Sequence, residues 1–366
     1  MRIWGTCEWT VPFPTATIRR PSRPVCRTAA ATARRVRRVG QGRKGTFVRL
    51  STLSFIIGGL LVYLALAYWV DLDEVVASAR QLDMATWILV LALSLVNYVL
   101  RFGRWHIYLR DLGHSVPLIR HLAIYVAGFA LTATPGKVGE GVRAILLRPF
   151  GARIERSLSI LMAERLLDLM AISLLAILLL LAPMPEARWL PLIGGGITLL
   201  LLAAMHPVAL TWLERFSQTL PSERLRSLGA RLPGFRRDLT TLIRGRLLAG
   251  GLAIGLIAWL AEGIGLYLVT DALGLQIGLG AAIGIYATAM LAGALTFLPG
   301  GLGSADATMT ALLIFAGAPM PAAVAVTILV RLATLWFAIA LGGAAWLGLA
   351  AWPRPVPVAD LESEQG

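Results

Sequence analysis

Apolar residues come in long runs separated by short polar stretches. Runs near twenty residues fall at about 52–70, 85–102, 158–181, 190–205, 247–269 and 322–350. A bilayer core about 30 Å thick needs about 20 apolar residues in a helix, so each run predicts a transmembrane span. Two further apolar runs are broken. One, at about 122–134, stops at Pro135-Gly136; the other, at about 281–298, stops at Pro299-Gly300. The pieces beside the first break are too short to span alone, and each break predicts a hairpin that returns to the side it entered. Irregular backbone at membrane depth is tolerated only against protein or a wet cavity, so both turns should be buried among other helices. The expected fold class is an all-α polytopic membrane protein with about six full spans and two re-entrant helical hairpins.

Composition supports this reading. Of 366 residues, 57% are hydrophobic and only 15% are charged. A net charge of +14 in a soluble protein would point to nucleic acid. Here the basic residues lie between apolar runs, where the positive-inside rule puts them, and no nucleic-acid partner is expected. Residues 1–48 are rich in Arg, Pro, Thr and Ala with no apolar core. They read as a disordered basic tail on the cytoplasmic side, not as a secretory signal peptide. Residues 49–350 form the membrane domain, and 351–366 a short cytoplasmic tail. The connection at about 207–246 is basic: from Thr211 it carries eight arginines and three acids. It is either a solvated linker or an amphipathic interfacial helix. Cys7 and Cys26 lie in the basic tail, the four histidines are scattered, and no spacing suggests a disulfide framework, a metal or another cofactor. His106 and His114 read as solvated, and Arg101 and Arg104 as snorkelling anchors at a span end. The expected location is a bacterial inner membrane, with both termini cytoplasmic.

The two broken runs resemble each other. At an offset of 164, Leu131, Thr132, Pro135, Gly136 and Gly139 align with Leu295, Thr296, Pro299, Gly300 and Gly303. The span with Glu164 and Arg165 corresponds to that with Arg331, and the span ending at Arg101 to that with Glu262. Basic flanks open the first hairpin to the cytoplasm; the second, with no basic flank, opens outward. This predicts an inverted repeat with halves at about 85–183 and 247–350. Binding sites in such proteins lie near the midplane, where broken helices meet.

The stretch TPGKVGEGVR carries the most chemistry. Pro135 and Gly136 break one helix and another starts near Gly139; Lys137 and Arg143 add two cations. Helix-terminal amides, Gly136 and Gly139 for close approach, and an arginine fork suit a lipid phosphate. A plain turn, with Lys137 snorkelling and Glu140 paired to Arg143, is the alternative. Glu164, Arg165 and Asp168 lie within five residues of one span, where each ionisable group is expensive, so they must face protein or water. Glu262 and Arg331 stand alone in apolar spans. With Asp306, after the turn Pro299-Gly300-Gly301-Leu302-Gly303, they form an expected three-way pairing. No catalytic motif is present, and the chain is not expected to be an enzyme.

The succession TPGKVGEGVR, ERLLD, LPGGLGSAD and a late-span arginine resembles the flippase-like membrane family that includes the transmembrane region of lysylphosphatidylglycerol synthase. The resemblance covers about residues 50–350. It implies a helical membrane domain with two re-entrant hairpins that binds or moves modified phospholipids or other lipids. It places functional weight on Lys137, Glu140, Arg143, Glu164, Arg165, Asp168, Asp306 and Arg331. The family commonly has Glu near Asp306, and no synthase domain follows in this sequence. The expectation is a stand-alone member that flips an anionic or modified phospholipid, a hopanoid or a glycolipid. The alternative is a non-transporting partner that presents lipid to a separate lipid-modifying transferase.

Overall fold

A computed structural model describes residues 72–134, 139–181, 189–204, 206–219, 229 and 231–352. The basic tail, the first expected span, the Pro135-Gly136 turn with Lys137, and the final tail lie outside the described residues. The described residues are helical, with no strand among them. In chain order the helices are α1 (Leu72–Gln81), α2 (Met84–Asp111), α3 (Leu118–Ala127), α4 (Val142–Leu146), α5 (Ile154–Ala176), α6 (Trp189–Ala204) and α7 (Pro207–Gln218). There follow α8 (Leu232–Leu242), α9 (Gly245–Ala272), α10 (Leu279–Leu295), α11 (Ser304–Phe315), α12 (Met320–Arg331) and α13 (Phe337–Ala351). Single 3₁₀ segments extend α3 through Leu131 and α5 through Leu181, and a π turn, Leu332–Trp336, joins α12 to α13.

Helices α2, α9 and the continuous Met320–Ala351 are long and apolar enough to cross a membrane. The segments Leu118–Leu131 and Leu279–Leu295 are apolar but shorter, as the broken runs predicted. Helix α2 is longer than the sequence suggested. Asp83 caps its start by accepting from the Thr86 amide at 2.7 Å, and it runs nine residues past Phe102 to Asp111. The apolar face continues through Trp105, Tyr108 and Leu109, all buried, so burial overrides the basic residues between them. Within the 207–246 connection lie two helices, α7 and α8, both with polar and apolar faces.

The halves repeat element by element. Helices α2 and α9 each have 28 residues. Each ends in the same cap, with Gly113 at φ 82° and Gly274 at φ 71° in the left-handed region that glycine tolerates. Each is then followed by a broken hairpin and a long closing helix. The offset is 161 from Met84 to Gly245 and from Leu118 to Leu279, and 166 from Ile154 to Met320. The sequence offset of 164 is a compromise between these values, because the halves differ in length around the turn.

Helices α2 and α9 pack against each other in opposite directions. The Tyr108 hydroxyl donates to the Leu247 carbonyl at 3.0 Å, Arg104 Nη1 to the Gly251 carbonyl at 3.2 Å, and Asn97 Nδ2 to the Ala258 carbonyl at 2.8 Å. As the number rises along α2 it falls along α9. Asn97 and Ala258 are themselves equivalent at the offset of 161, so the crossing lies on an approximate two-fold axis between the halves.

The hairpins are exchanged in the same sense: α3 packs on α13, and α10 on α5. Each contact needs a glycine. A Cβ at Gly342 would lie 2.2 Å from the Ala130 nitrogen, and one at Gly284 would lie 2.4 Å from the Leu179 nitrogen. Backbone cannot yield as a side chain can, so Gly284→Ala and Gly342→Ala should each destabilise the protein by about 1–3 kcal/mol. Thermal unfolding in detergent micelles measures this; wild-type melting of either variant would contradict the close packing.

Charge separates the two ends. The start of α5, the end of α2, the start of α9, and α7 and α8 are tied together by Arg156 to the Leu112 carbonyl (3.0 Å), Arg231 to Glu155 (3.1 Å) and Arg236 to Glu214 (3.7 Å). Exposed arginines at this end are Arg110, Arg153, Arg215, Arg231, Arg237, Arg244 and Arg246. The opposite ends of α2 and α9 carry Asp83 and Asp271.

Candidate functional site

Three elements of the first half converge on one buried charge cluster. Helix α5 places Glu164 and Asp168 one turn apart and Arg165 between them. Helix α2 brings Arg101 and Arg104, three residues apart. The turn before α4 brings Glu140, and α4 brings Arg143. Asp168 accepts from Arg101 at 2.9 Å and from Arg104 at 2.6 Å, with Arg165 at 3.5 Å. Glu140 lies 3.2 Å from Arg143 and 3.4 Å from Arg165, and receives the Thr132 hydroxyl at 3.3 Å. Glu164 sits between Arg104 at 3.7 Å and Arg143 at 3.6 Å. Its oxygens make ion pairs without aligned hydrogen bonds, so Glu164 balances charge rather than fixing geometry.

Arg143 departs from the expectation of an arginine offered to a phosphate. Its side chain is fully buried. The guanidinium lies 3.9 Å from the centre of the Tyr125 ring, with Trp105 and Phe129 at 5.4 and 5.3 Å, and its Nε donates to the Tyr125 carbonyl at 3.2 Å. It lies across Gly128, where a Cβ would stand 2.4 Å from Nε. Held by rings and two carboxylates, Arg143 braces the turn. The helix expected from Gly139 is one 3₁₀ turn followed by the five residues of α4, too short to present much of a dipole. The Gly139 amide donates to the Thr134 hydroxyl at 2.7 Å, and a Cβ there would meet Leu131 at 2.6 Å. Gly139 is therefore needed for packing of the turn. Lys137, Gly136 and Pro135 lie outside the described residues.

The second half repeats one of these pairs. Asp306 Oδ1 lies 2.8 Å from Arg331 Nε. Glu140 and Arg165 are the equivalent positions at the offset of 166, each arginine being the twelfth residue of its closing helix. The copies are unequal. Arg331 is 4% exposed and also donates to the Gly300 carbonyl at 2.8 Å, while Arg165 is 23% exposed at 3.4 Å from its partner. Asp306 accepts from the Gly303 amide at 2.9 Å as well. The turn from Pro299 needs φ of 61°, 69° and 85° at Gly300, Gly301 and Gly303, so its glycines shape the backbone that holds Arg331. Of the expected three-way pairing, Asp306 and Arg331 meet. Glu262 receives the Tyr286 hydroxyl at 3.0 Å. The π turn begins at the residue after Arg331, and Tyr98 donates to its Thr334 carbonyl at 2.5 Å.

Arg101 and Arg104 were legible as cations but not as members of this site; both are buried, not snorkelling. His106 is on α2, half-buried, with its Nδ1 2.9 Å from Nδ1 of the buried His121. Neither His106 nor His114 is simply solvated. His114 Nε2 lies 2.9 Å from Arg156 Nη1; burial and then the positive charge of Arg156 hold its pKa below the usual value. It accepts from Arg156 as a neutral ring at pH 7. Among the described residues no group of three or more His, Cys, Asp or Glu is placed to hold a metal.

Long apolar helices around buried ion pairs, in two repeated halves, define a multi-pass membrane protein. The chain belongs to the family of the lysylphosphatidylglycerol synthase TM region, whose pattern matches residues 53–342. Two proteins of Methanothermobacter thermautotrophicus, each described as a UPF0104 membrane protein, are similar to it. One is 24% identical over 314 residues, covering 79% of this chain and 93% of the relative. The other is 25% identical over 311 residues, covering 79% and 90%.

Proposed function

We propose that this protein binds a phospholipid or other modified lipid, hopanoids and glycolipids included, and moves it between the leaflets of a bacterial inner membrane. The observation that carries the reading is the buried charge network lying where two broken hairpins meet across an approximate two-fold axis. Substrate sites of repeat-built transporters lie at such junctions. Antiparallel α2 and α9 are what an inverted repeat requires when both helices cross the membrane, with each broken segment a re-entrant hairpin. The arginine-rich end faces the cytoplasm by the positive-inside rule, which puts both termini there. Lys137, beside Glu140 in sequence, and the part-exposed Arg165 offer charge to a phosphate; Arg143 holds the turn. The acid–arginine pair of the second half closes the opposite side.

The test is transfer of a fluorescent phospholipid in vesicles containing the purified protein. Lys137→Ala should slow transfer about tenfold or more, since a hydrogen bond to a charged group contributes about 1.5–3 kcal/mol. Wild-type transfer in that variant would overturn the phosphate seat. Lipid binding by the native chain without leaflet transfer would favour the presenting partner of a lipid-modifying transferase.

A further inference from the structure

Helix α7 is amphipathic in an unusual way: its aromatic side is the open one. Val208, Trp212 and Phe216, four residues apart, are 71%, 65% and 48% exposed. The Trp212 and Phe216 rings stack with centres 5.5 Å apart and planes within 4°. On the other side, Leu210 is buried and Glu214 pairs with Arg236 of α8. A cavity of about 610 Å³ lies between the end of α6 and α7, lined by Ala203, His206, Val208, Ala209 and Trp212. Its walls are almost wholly apolar. The groove continues an apolar surface along α6, where Leu192, Ile193, Leu199 and Leu200 are exposed.

Water is a poor solvent for such a face, while the interfacial layer of a bilayer suits it. Tryptophan and phenylalanine on one side of a helix with arginine on the other is the pattern of an interfacial helix. Exposed Arg215 lies on the same helix, and Arg237, Arg244 and Arg246 are exposed at the same end of the fold. This end carries the positive charge that an anionic leaflet attracts.

We propose that the α6–α7 groove is a binding site for an anionic phospholipid of the cytoplasmic leaflet. One acyl chain fills the groove against Val208 and Trp212, and Arg215 faces the phosphate. The lipid here stays in its leaflet and is separate from any lipid moved through the charge network. The site reaches that network by one mechanical route: Glu214 holds α8, and α8 packs along α5, which carries Glu164, Arg165 and Asp168. The proposal does not depend on transport.

The test uses the full chain with Cys7 and Cys26 replaced by serine, in phosphatidylcholine vesicles with or without phosphatidylglycerol. Spin labels go at Val208, Trp212, Phe216 and Arg215. The first three positions should be open to oxygen and shielded from a soluble nickel chelate, and position 215 open to the chelate. Chelate access at all four would make α7 a solvated linker. Shielding from both reagents would put a protein or a second copy of this chain there; either result overturns the proposal. Native mass spectrometry then compares retained lipids. Phosphatidylglycerol should be kept over phosphatidylcholine, and Arg215→Gln should reduce the preference about fivefold, the fold-change of about 1 kcal/mol for one basic residue at an anionic surface. Trp212→Ala should release both lipids. Equal retention of the two lipids by the native chain overturns the anionic assignment.

Discussion

Asp168→Ala should destabilise the protein by about 3–5 kcal/mol, because it strips the shared acceptor from two buried arginines. Asp168 takes Arg101 at 2.9 Å and Arg104 at 2.6 Å, and neither guanidinium can reach water without unpacking α2. Breaking a buried pair from one side costs far more than the pair is worth as a whole, since the remaining charge stays desolvated. Native stabilities are about 5–15 kcal/mol, so a loss of this size should be visible as poor accumulation in the membrane. Denaturant unfolding in mixed micelles gives the figure. Asp168→Glu keeps the charge and should recover part of it. If Asp168→Ala unfolds like the native chain, the cluster is solvated and the present account of the core is wrong.

The second large effect separates the two copies of one repeated pair. Arg331→Met should also cost about 3–5 kcal/mol, because it leaves Asp306 without the guanidinium now 2.8 Å away and frees the Gly300 carbonyl inside the hairpin turn. Arg165→Met removes the equivalent side chain with much less effect, about 1 kcal/mol or below. Arg165 is part-exposed and lies 3.4–3.5 Å from its partners. Glu140 keeps Arg143, and Asp168 keeps Arg101 and Arg104. The two variants belong in one unfolding experiment. Equal losses would mean that the second pair is no tighter in the membrane than the first.

Much of this was legible in the sequence. The runs at 85–102, 247–269 and 322–350 fall within the three long helices, because a helix crossing lipid is written in consecutive residues. The repeat was legible from Pro299, Gly300 and Gly303 against their counterparts, since turns need particular residue types. The Asp306–Arg331 pair followed from the cost of leaving either charge alone in an apolar helix. Arg101 and Arg104 were misread because a charge beside an apolar run looks the same whether it ends the helix or is buried by a partner. The residues that could have corrected this were Trp105, Tyr108 and Leu109, whose helical spacing extends the apolar face another two turns. The inward turn of Arg143 was not legible. It depends on Gly128, Tyr125 and Glu164 arriving from three places in the chain, and no spacing records that.

The crossing of α2 and α9 has one more consequence. A residue on a two-fold axis meets its own counterpart, so a contact there is even-handed only when both members are alike. Here an asparagine meets an alanine, and a single hydrogen bond runs from Asn97 to the Ala258 carbonyl. That bond has a direction, and the relation between the halves does not. Any rearrangement that trades the shape of one half for that of the other must pivot on a contact that is not its own reverse. The two outcomes are therefore unequal in energy, and the protein has a preferred resting side set at its centre, before any ligand arrives.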